Sequence, residues 1–427
     1  MLDIKLIREN PEAVKKGTAS KNVKVDIDAI LKFDERRREL QNEVDTLRQG
    51  RHDKDGDREA AKKQKEILKG KESELGEVAK QLDELLMQLP NLPLTQVPVG
   101  KDESENVVLR EVGERTKFNF TPLDYLTLGE KLGIIDVKTA SQVSGTRFGY
   151  LKGGAALLEF ALIQHALSTL TNESTLKKIA SEAGLSSVDH KPFIPVVPPS
   201  MIRPEVYTKM ARLSPADKDE RYYIPSDDVY LTGSAEHTMG PMHMDTILLE
   251  SDLPLRYVGF NSAFRREAGS YGKDTKGIIR VHQFDKVEIE VFCHPEKSVE
   301  EFNFIVACQE YLLKSLMIPY QVISICTGDM GKPDALQVDL NSWMPGENKY
   351  RETHTADLMT DYQARRLQTK VKVNGKSEFV HMIDATTFAI GRTLIAIIEN
   401  YQQADGTIEV PKALQPYMFG IKVIGKQ

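Results

Sequence analysis

Three short stretches of this sequence gather arginines, carboxylates and hydroxyls. Phe264 to Glu288 reads FRREAGSYGKDTKGIIRVHQFDKVE, with Arg265 and Glu267 near its start and Glu288 at its end. Glu352-Thr353-His354-Thr355 is followed by Asp361-Tyr362-Gln363-Ala364-Arg365-Arg366, and Asp384-Ala385-Thr386-Thr387 by Gly391-Arg392. Arginine offers parallel donors that suit phosphate oxygens, so Arg265 and Arg392 are candidates to hold a nucleoside triphosphate. Mg²⁺ takes hard oxygen ligands, which the Glu352 carboxylate and the Thr355 hydroxyl would offer. Neither of the two common glycine-rich phosphate loops is present. Taken singly, each charged residue is as readily a solvated surface group, and an arginine in a first helical turn is more often exposed or ion-paired.

Those residues need a frame. Alternation along Phe264–Glu267 and Arg280–Glu288 predicts two antiparallel strands around a Gly269–Gly277 connector. Val281, Gln283, Asp285 and Val287 fall on one face, with His282, Phe284, Lys286 and Glu288 on the other. The other two segments are expected at strand ends or in loops. Phe193–Ile202 suits an edge strand or a strand ending at Pro198, and strands are also predicted at Tyr222–Leu231, Leu255–Phe260, Tyr320–Cys326, Ala335–Leu340 and Phe379–Ile383. Helices are predicted over 122–134, 153–171, Ser298–Leu316 and Phe388–Tyr401. A polar elbow, Thr232-Gly233-Ser234-Ala235-Glu236, leads into a helix carrying His237 and Met239. Strands without regular βαβ alternation indicate an α+β fold on a mainly antiparallel sheet flanked by helices.

The N-terminal part follows a different period. After a short helical start with Asn10 as N-cap and Pro11 in the first turn, Ile30, Phe33, Arg37, Leu40, Val44 and Leu47 form a heptad seam. A polar turn at 49–57 separates it from a second seam of Leu68, Leu75, Val78, Leu82, Leu85 and Leu89, with Lys71 in a vacant position. Two such helices fold back as an antiparallel coiled coil on the order of 30–45 Å long. Its outer faces carry Arg36, Arg37, Arg38, Arg48, Arg51, Arg58, Lys62, Lys63, Lys65, Lys69 and Lys71, suited either to solvent or to a nucleic-acid backbone. Pro90 ends the second helix, and 90–112 reads as an extended linker. The expected domains are 1–98, with the arm at about 27–89, and 99–427.

The chain has 427 residues, 40% hydrophobic and 28% charged, with a net charge of -6. It is long enough for two or three domains, and nucleic-acid contact would require local basic patches. No apolar run approaches the roughly 20 residues of a membrane span, and the N-terminus lacks a signal-peptide core. Cys293, Cys308 and Cys326 are far apart and odd in number, which argues against a disulfide framework. The reading is a reduced, cytoplasmic protein.

The long motif FR-x-EAG, G-x-DT-x-G, R-VHQF-x-KVE resembles motif 2 of the seryl-tRNA synthetases, a family of class II aminoacyl-tRNA synthetases. DATTFAIGRTLIAIIENYQ is similar to the family's motif 3, PVVPPSMIRPEVY stands in the place of motif 1, and ETHTADLMTDYQARR resembles its serine-site segment. The resemblance covers nearly the whole chain, arm included. It implies a homodimeric ligase that joins L-serine to tRNA-Ser, and to tRNA-Sec where one exists, with ATP and Mg²⁺ and without zinc. ATP would lie against Arg265, Arg266, Glu267, Val281, Glu352, Thr353, His354, Thr355 and Arg392, with Arg265 and Arg392 catalytic and Glu352 and Thr355 holding the metal. Serine would meet Ser234, Ala235, Glu236, Glu288 and Thr386. The arm, which is short for the family, would reach the long variable arm of the tRNA.

The sequence departs from the family pattern in the amino-acid pocket. Ser234-Ala235-Glu236 stands for T-x-E, Asp384-Ala385-Thr386 for N-G-S, and His354-Thr355-Ala356 for S-C-S. Two other readings compete: a related ligase that loads an amino acid onto a carrier protein, which typically lacks the arm, and a non-catalytic coiled-coil scaffold, which has no need of two arginines beside a metal site.

Overall fold

A computed structural model describes residues 1–49, 58–214, 218–268 and 276–426. Its centre is an eight-stranded sheet. In spatial order the strands are Val107–Val112, Tyr320–Ser324, Leu336–Met344, Lys349–Thr360, His381–Ala389, Gln283–Cys293, Leu255–Phe264 and Ile194–Val196. All neighbours are antiparallel except the last pair. Pro195 and the prolines after Val196 suit an edge position, where missing donors cost no ladder bond.

Period-2 alternation divides the sheet into two chemical faces. On the Gln283–Cys293 strand, Val287, Ile289 and Val291 enter the main core, which is covered by the helices Gly154–Leu170, Ser298–Ser315 and Ile390–Asn400. Glu288 and Glu290, between them, face the opposite side. Asp384 and Thr386 likewise alternate with Ile383 and Ala385 of the main core. Cys293 and Cys308 lie in that core as small apolar residues.

The arm consists of the helices Ile27–Gln49 and Arg58–Gln88, and the second ends just before Pro90. Ile30, Leu40, Val44, Leu68, Leu82 and Leu89 are buried on the predicted seam, but Leu86 is more deeply buried than the predicted Leu85. Most of the polar turn, 50–57, with Arg51, lies outside the described residues. At the arm's base Asp34 is fully buried beneath three arginines, Arg8, Arg37 and Arg38, at 3.0–3.2 Å. This base docks on the sheet domain through Tyr362, which packs among Leu2, Ile7, Leu86 and Leu89 and donates its hydroxyl to the Leu89 carbonyl at 2.5 Å.

Several expectations change. Val107–Val112, read as linker, is an edge strand paired with Tyr320–Ser324. Tyr222–Leu231 is a hairpin, Tyr223–Ile224 against Val229–Leu231, because Asp227 and Asp228 turn the chain. Asn10 makes no side-chain cap. Phe160, within the helix predicted over 153–171, is 58% exposed. The central hairpin is shifted: its strands are Leu255–Phe264 and Gln283–Cys293, so Arg265 to Glu267 and Arg280 to His282 lie beyond the ladder. Gly269 to 275, most of its connector, lies outside the described residues.

Candidate active site

The segments expected at strand ends and in loops lie within central strands. Glu352 to Thr355 belongs to Lys349–Thr360, and Asp384 to Thr387 belongs to His381–Ala389. Strict alternation would put Glu352 and Thr355 on opposite faces. A bulge prevents this: Leu340 pairs with His354 and Asn341 with Glu352, leaving Thr353 as the extra residue. One inserted residue re-aims the strand, and Glu352 and Thr355 both reach one cavity of about 320 Å³. That volume falls within the range of small-ligand sites.

The same cavity is lined by Arg265, Glu267, Val281, Lys286, Thr386 and Arg392. Arg265 donates Nε–H to the Gly233 carbonyl at 3.1 Å and lies over the Phe284 ring at 5.3 Å, which fixes its guanidinium. Arg392, in the first turn of the Ile390–Asn400 helix, donates to the Glu352 carbonyl at 2.9 Å and stands 3.3 Å from its carboxylate. Enclosure pushes the Glu352 carboxyl up, but Arg392, Lys286 and Arg265 outweigh it and hold it below its ordinary value. Glu267 adopts φ 54°, a costly backbone conformation for a non-glycine residue, and accepts from Arg280 at 3.1 Å. Val281 and Ile278 also line an adjoining hollow of about 450 Å³, together with Phe148, Phe160 and Phe260.

Three residues expected at the nucleotide do not line this cavity. Thr353, the extra residue of the bulge, bonds Ser342 at 2.7 Å and the Leu340 carbonyl at 3.2 Å. His354 is buried against Thr353 and Phe388, and burial lowers its pKa to about 3. Arg266 lies over the Tyr222 ring at 5.7 Å. The tail Asp361 to Arg366 is a latch to the arm base: Arg366 donates to the Met87 carbonyl at 2.7 Å and Arg365 pairs with Asp3 at 3.1 Å.

The elbow residues form the neighbouring group. The short helix Glu236–Met239 rests directly on Gly259, where an added Cβ would collide with Met239. This close approach puts the elbow beside Glu288, which pairs with Gly259 across the strands. Ser234 donates its hydroxyl to Glu288 Oε2, and the Glu236 backbone N–H reaches the same oxygen at 3.1 Å. Lys286 bonds Ser234 Oγ at 3.0 Å and pairs with Glu288 Oε1. Ala235 contributes backbone only, its methyl being buried in a second core. Thr386 is buried opposite Glu288.

Glu236 is held from two sides. Arg212 Nε lies 3.0 Å from Oε1, and His237 Nε2 lies 3.5 Å from the same atom. Because His237 Nδ1 accepts the Gly233 N–H at 3.1 Å, its proton resides on Nε2 and points toward Glu236. Burial alone would push the Glu236 carboxyl up; Arg212 and His237 outweigh it and hold it well below its ordinary value. Lys286, Arg212 and Glu290 were not singled out in the sequence as site residues. Alternation on the Glu288 strand puts Lys286 and Glu290 on the site face, but nothing in the sequence points to Arg212.

Among the described residues, no three His, Cys, Asp or Glu side chains converge to hold a metal by themselves. Glu352 and Thr355 offer one ionised carboxylate and one hydroxyl, a donor set that fits Mg²⁺ shared with phosphate oxygens. No helix among the described residues is long and apolar enough to cross a membrane.

Residues 1–93 match the family model described as the seryl-tRNA synthetase N-terminal domain, and residues 221–401 match the class II tRNA synthetase core domain (G, H, P, S and T). The serine–tRNA ligase of Dictyoglomus turgidum is 41% identical, with 98% of each chain covered, and that of Deinococcus radiodurans is 39% identical, covering 100% of this chain and 99% of the relative. Among solved structures, the seryl-tRNA synthetase from Pyrococcus horikoshii complexed with ATP superposes with a TM-score of 0.88 at 37% identity, with 100% of both chains covered. A prolyl-tRNA synthetase of Giardia lamblia shares the fold at TM-score 0.54 and 12% identity, covering 68% of this chain and 55% of that one.

Proposed function

The chain belongs to the seryl-tRNA synthetases, ATP-dependent class II ligases that join serine to tRNA, and we propose that it performs this reaction at the cavity between Arg265 and Arg392. The observation that carries the reading is that one cavity gathers Arg265, Glu267, Glu352, Thr355, Thr386 and Arg392 beside the Ser234–Glu288 cluster.

ATP binds with its adenine toward Glu267 and Val281, its α-phosphate at Arg265 and its γ-phosphate at Arg392. Glu352 and Thr355 would hold Mg²⁺, which when bound neutralises phosphate charge. L-Serine lies with its ammonium toward Glu236 and Glu288 and its hydroxyl toward Ser234 and Thr386. A serine carboxylate oxygen attacks the α-phosphorus, the bond to the β-phosphate oxygen breaks, and pyrophosphate leaves with seryl-adenylate bound. The terminal ribose hydroxyl of the tRNA then attacks the seryl carbonyl and AMP departs. Neither step needs a protein nucleophile; positioning and charge neutralisation lower the barriers. A buried acceptor built for the hydroxyl rejects alanine, which leaves it unpaired.

In this reading residues 1–98 bind tRNA-Ser, and tRNA-Sec where it exists, through the arm, and 99–427 catalyse. Exposed Lys62, Lys63, Lys65 and Lys69 on the second arm helix suit contact with nucleic-acid phosphates. Exposed Ile194, Val197 and Met201 in and beside motif 1 support a homodimer that covers them, and the family's role in translation supports a cytoplasmic location. ATP–pyrophosphate exchange across amino acids tests the reading. Exchange with serine and charging of tRNA-Ser is the expected result. No exchange with serine would overturn the reading, and exchange without tRNA charging would favour a carrier-protein ligase.

A further inference from the structure

Strand register places three carboxylates in a row across the sheet. Glu290 lies opposite Asp384, and Asp384 lies opposite Asp357. All three are buried, and both carboxylate oxygens of Glu290 and Oδ1 of Asp384 have no hydrogen-bond partner. One guanidinium bridges this row to the elbow. Arg212 donates Nη2–H to Asp384 Oδ2 at 2.9 Å while its Nε stands 3.0 Å from Glu236 Oε1. Arg212 sits in the loop after the Pro204–Lys209 helix, where the Met210 carbonyl accepts from Gln363 Nε2 at 2.9 Å. The loop is therefore anchored from the latch side of the molecule, outside the ligand cavity.

We propose that Arg212, coupled to Asp384, is a positioning and specificity residue of the amino-acid pocket, fixing the Glu236 carboxylate that receives the ammonium group of serine. The proposal rests on the serine-ligase reading above. A carboxylate set against a guanidinium has a fixed charge and direction. Without that guanidinium, Asp384 and Glu236 lose the cation that contacts both of them, and buried like charges repel or take up protons. Glu236 then loses the geometry or the charge that the ammonium needs. If Asp384 is made neutral as well, the demand on Arg212 falls, so the two substitutions compensate. Arg212 does not line the nucleotide cavity, so ATP binding is spared.

A double-mutant cycle in the full-length protein tests this, with Arg212→Gln, Asp384→Asn and both together read by ATP–pyrophosphate exchange. Arg212→Gln alone is expected to raise the KM for serine about tenfold or more with the KM for ATP within about twofold; in the Asp384→Asn background the same change raises it less than about threefold. An equal effect in both backgrounds, an unchanged KM for serine, or a parallel rise in the KM for ATP would overturn the coupling. If Arg212→Gln alone does not fold, the Asp384→Asn protein and the double variant decide. A folded double variant with a serine KM within about threefold of Asp384→Asn supports the proposal, and an unfolded or serine-blind one refutes it. Wild-type protein inactive with serine would instead bring down the ligase reading, so the two failures are distinguishable.

Discussion

The arm and the sheet use the same charged residues under opposite dielectric conditions. On the arm, Arg36 reaches Glu74 of the facing helix at 2.5 Å, Lys71 reaches Glu43 at 2.7 Å and Arg48 reaches Glu72 at 2.8 Å, all partly exposed to water. Such pairs align two helices but are screened by salt, and each contributes little. Inside the sheet domain, Arg256 is fully buried with a bidentate pairing to Glu301 and lies over Phe304 at 4.9 Å. Removing one partner there strands a charge in a medium that cannot solvate it. Near-identical chemistry is thus replaceable in one region and obligatory in the other, and burial makes the difference.

The sharpest break of that comparison is Arg265→Ala. Exchange should fall about 10²-fold or more while the thermal midpoint stays unchanged; near-normal exchange would remove Arg265 from the phosphate. Arg256→Ala should cost about 3–5 kcal/mol in urea unfolding, because Glu301 is left buried and unpaired. A loss as small as that of an exposed pair would dissolve the contrast between the regions. Removing residues 43–71 and closing the shortened arm with a tight turn keeps the base around Ile30, Leu82, Leu86 and Leu89. Serine-dependent exchange should persist, and kcat/KM for tRNA-Ser should fall about tenfold or more with a shallower salt dependence. Unchanged charging would take the arm out of tRNA recognition.

A pH-dependent effect concerns Glu159, whose pKa is raised from 4.5 to about 8 by burial and by its hydrogen bond with Asp285. The folded protein keeps this proton while the unfolded chain releases it above 4.5. The associated stability is therefore present at low pH and lost as pH rises toward about 8. Glu159→Gln should match wild type in urea midpoint near pH 4.5 and exceed it near pH 8. Parallel curves would show that Glu159 is ionised in the fold. Least of all, Arg36→Met should barely move the thermal midpoint, since its guanidinium stays in water.

Much of this was legible in local pattern. The heptad seams needed only the 3.5-residue period, although Leu85 and Leu86 exchanged roles because both lie near the interface. Arg265, Glu267, Glu352, Thr355 and Arg392 were legible by chemistry and motif, and the structure brings all five to one cavity. The misplacements share a cause. Thr353 and His354 stand beside Glu352 in the sequence, but alternation turns Thr353 inward and a one-residue bulge, set by pairing with Leu340 and Asn341, turns His354 inward as well. Val107–Val112 read as linker because an edge strand's partner is not encoded within it.

The sequence by itself determined the periodicities, the chemistry of the three charged segments and the family to which they belong, since these depend on residue type and short spacing. Only the tertiary structure decided which charges are buried together. Arg212 meets Asp384 and Glu236 through a loop, an elbow and a central strand that are remote in the chain. The reason is physical: a side chain's type sets what it can bond, but burial and cross-strand register set what it must bond.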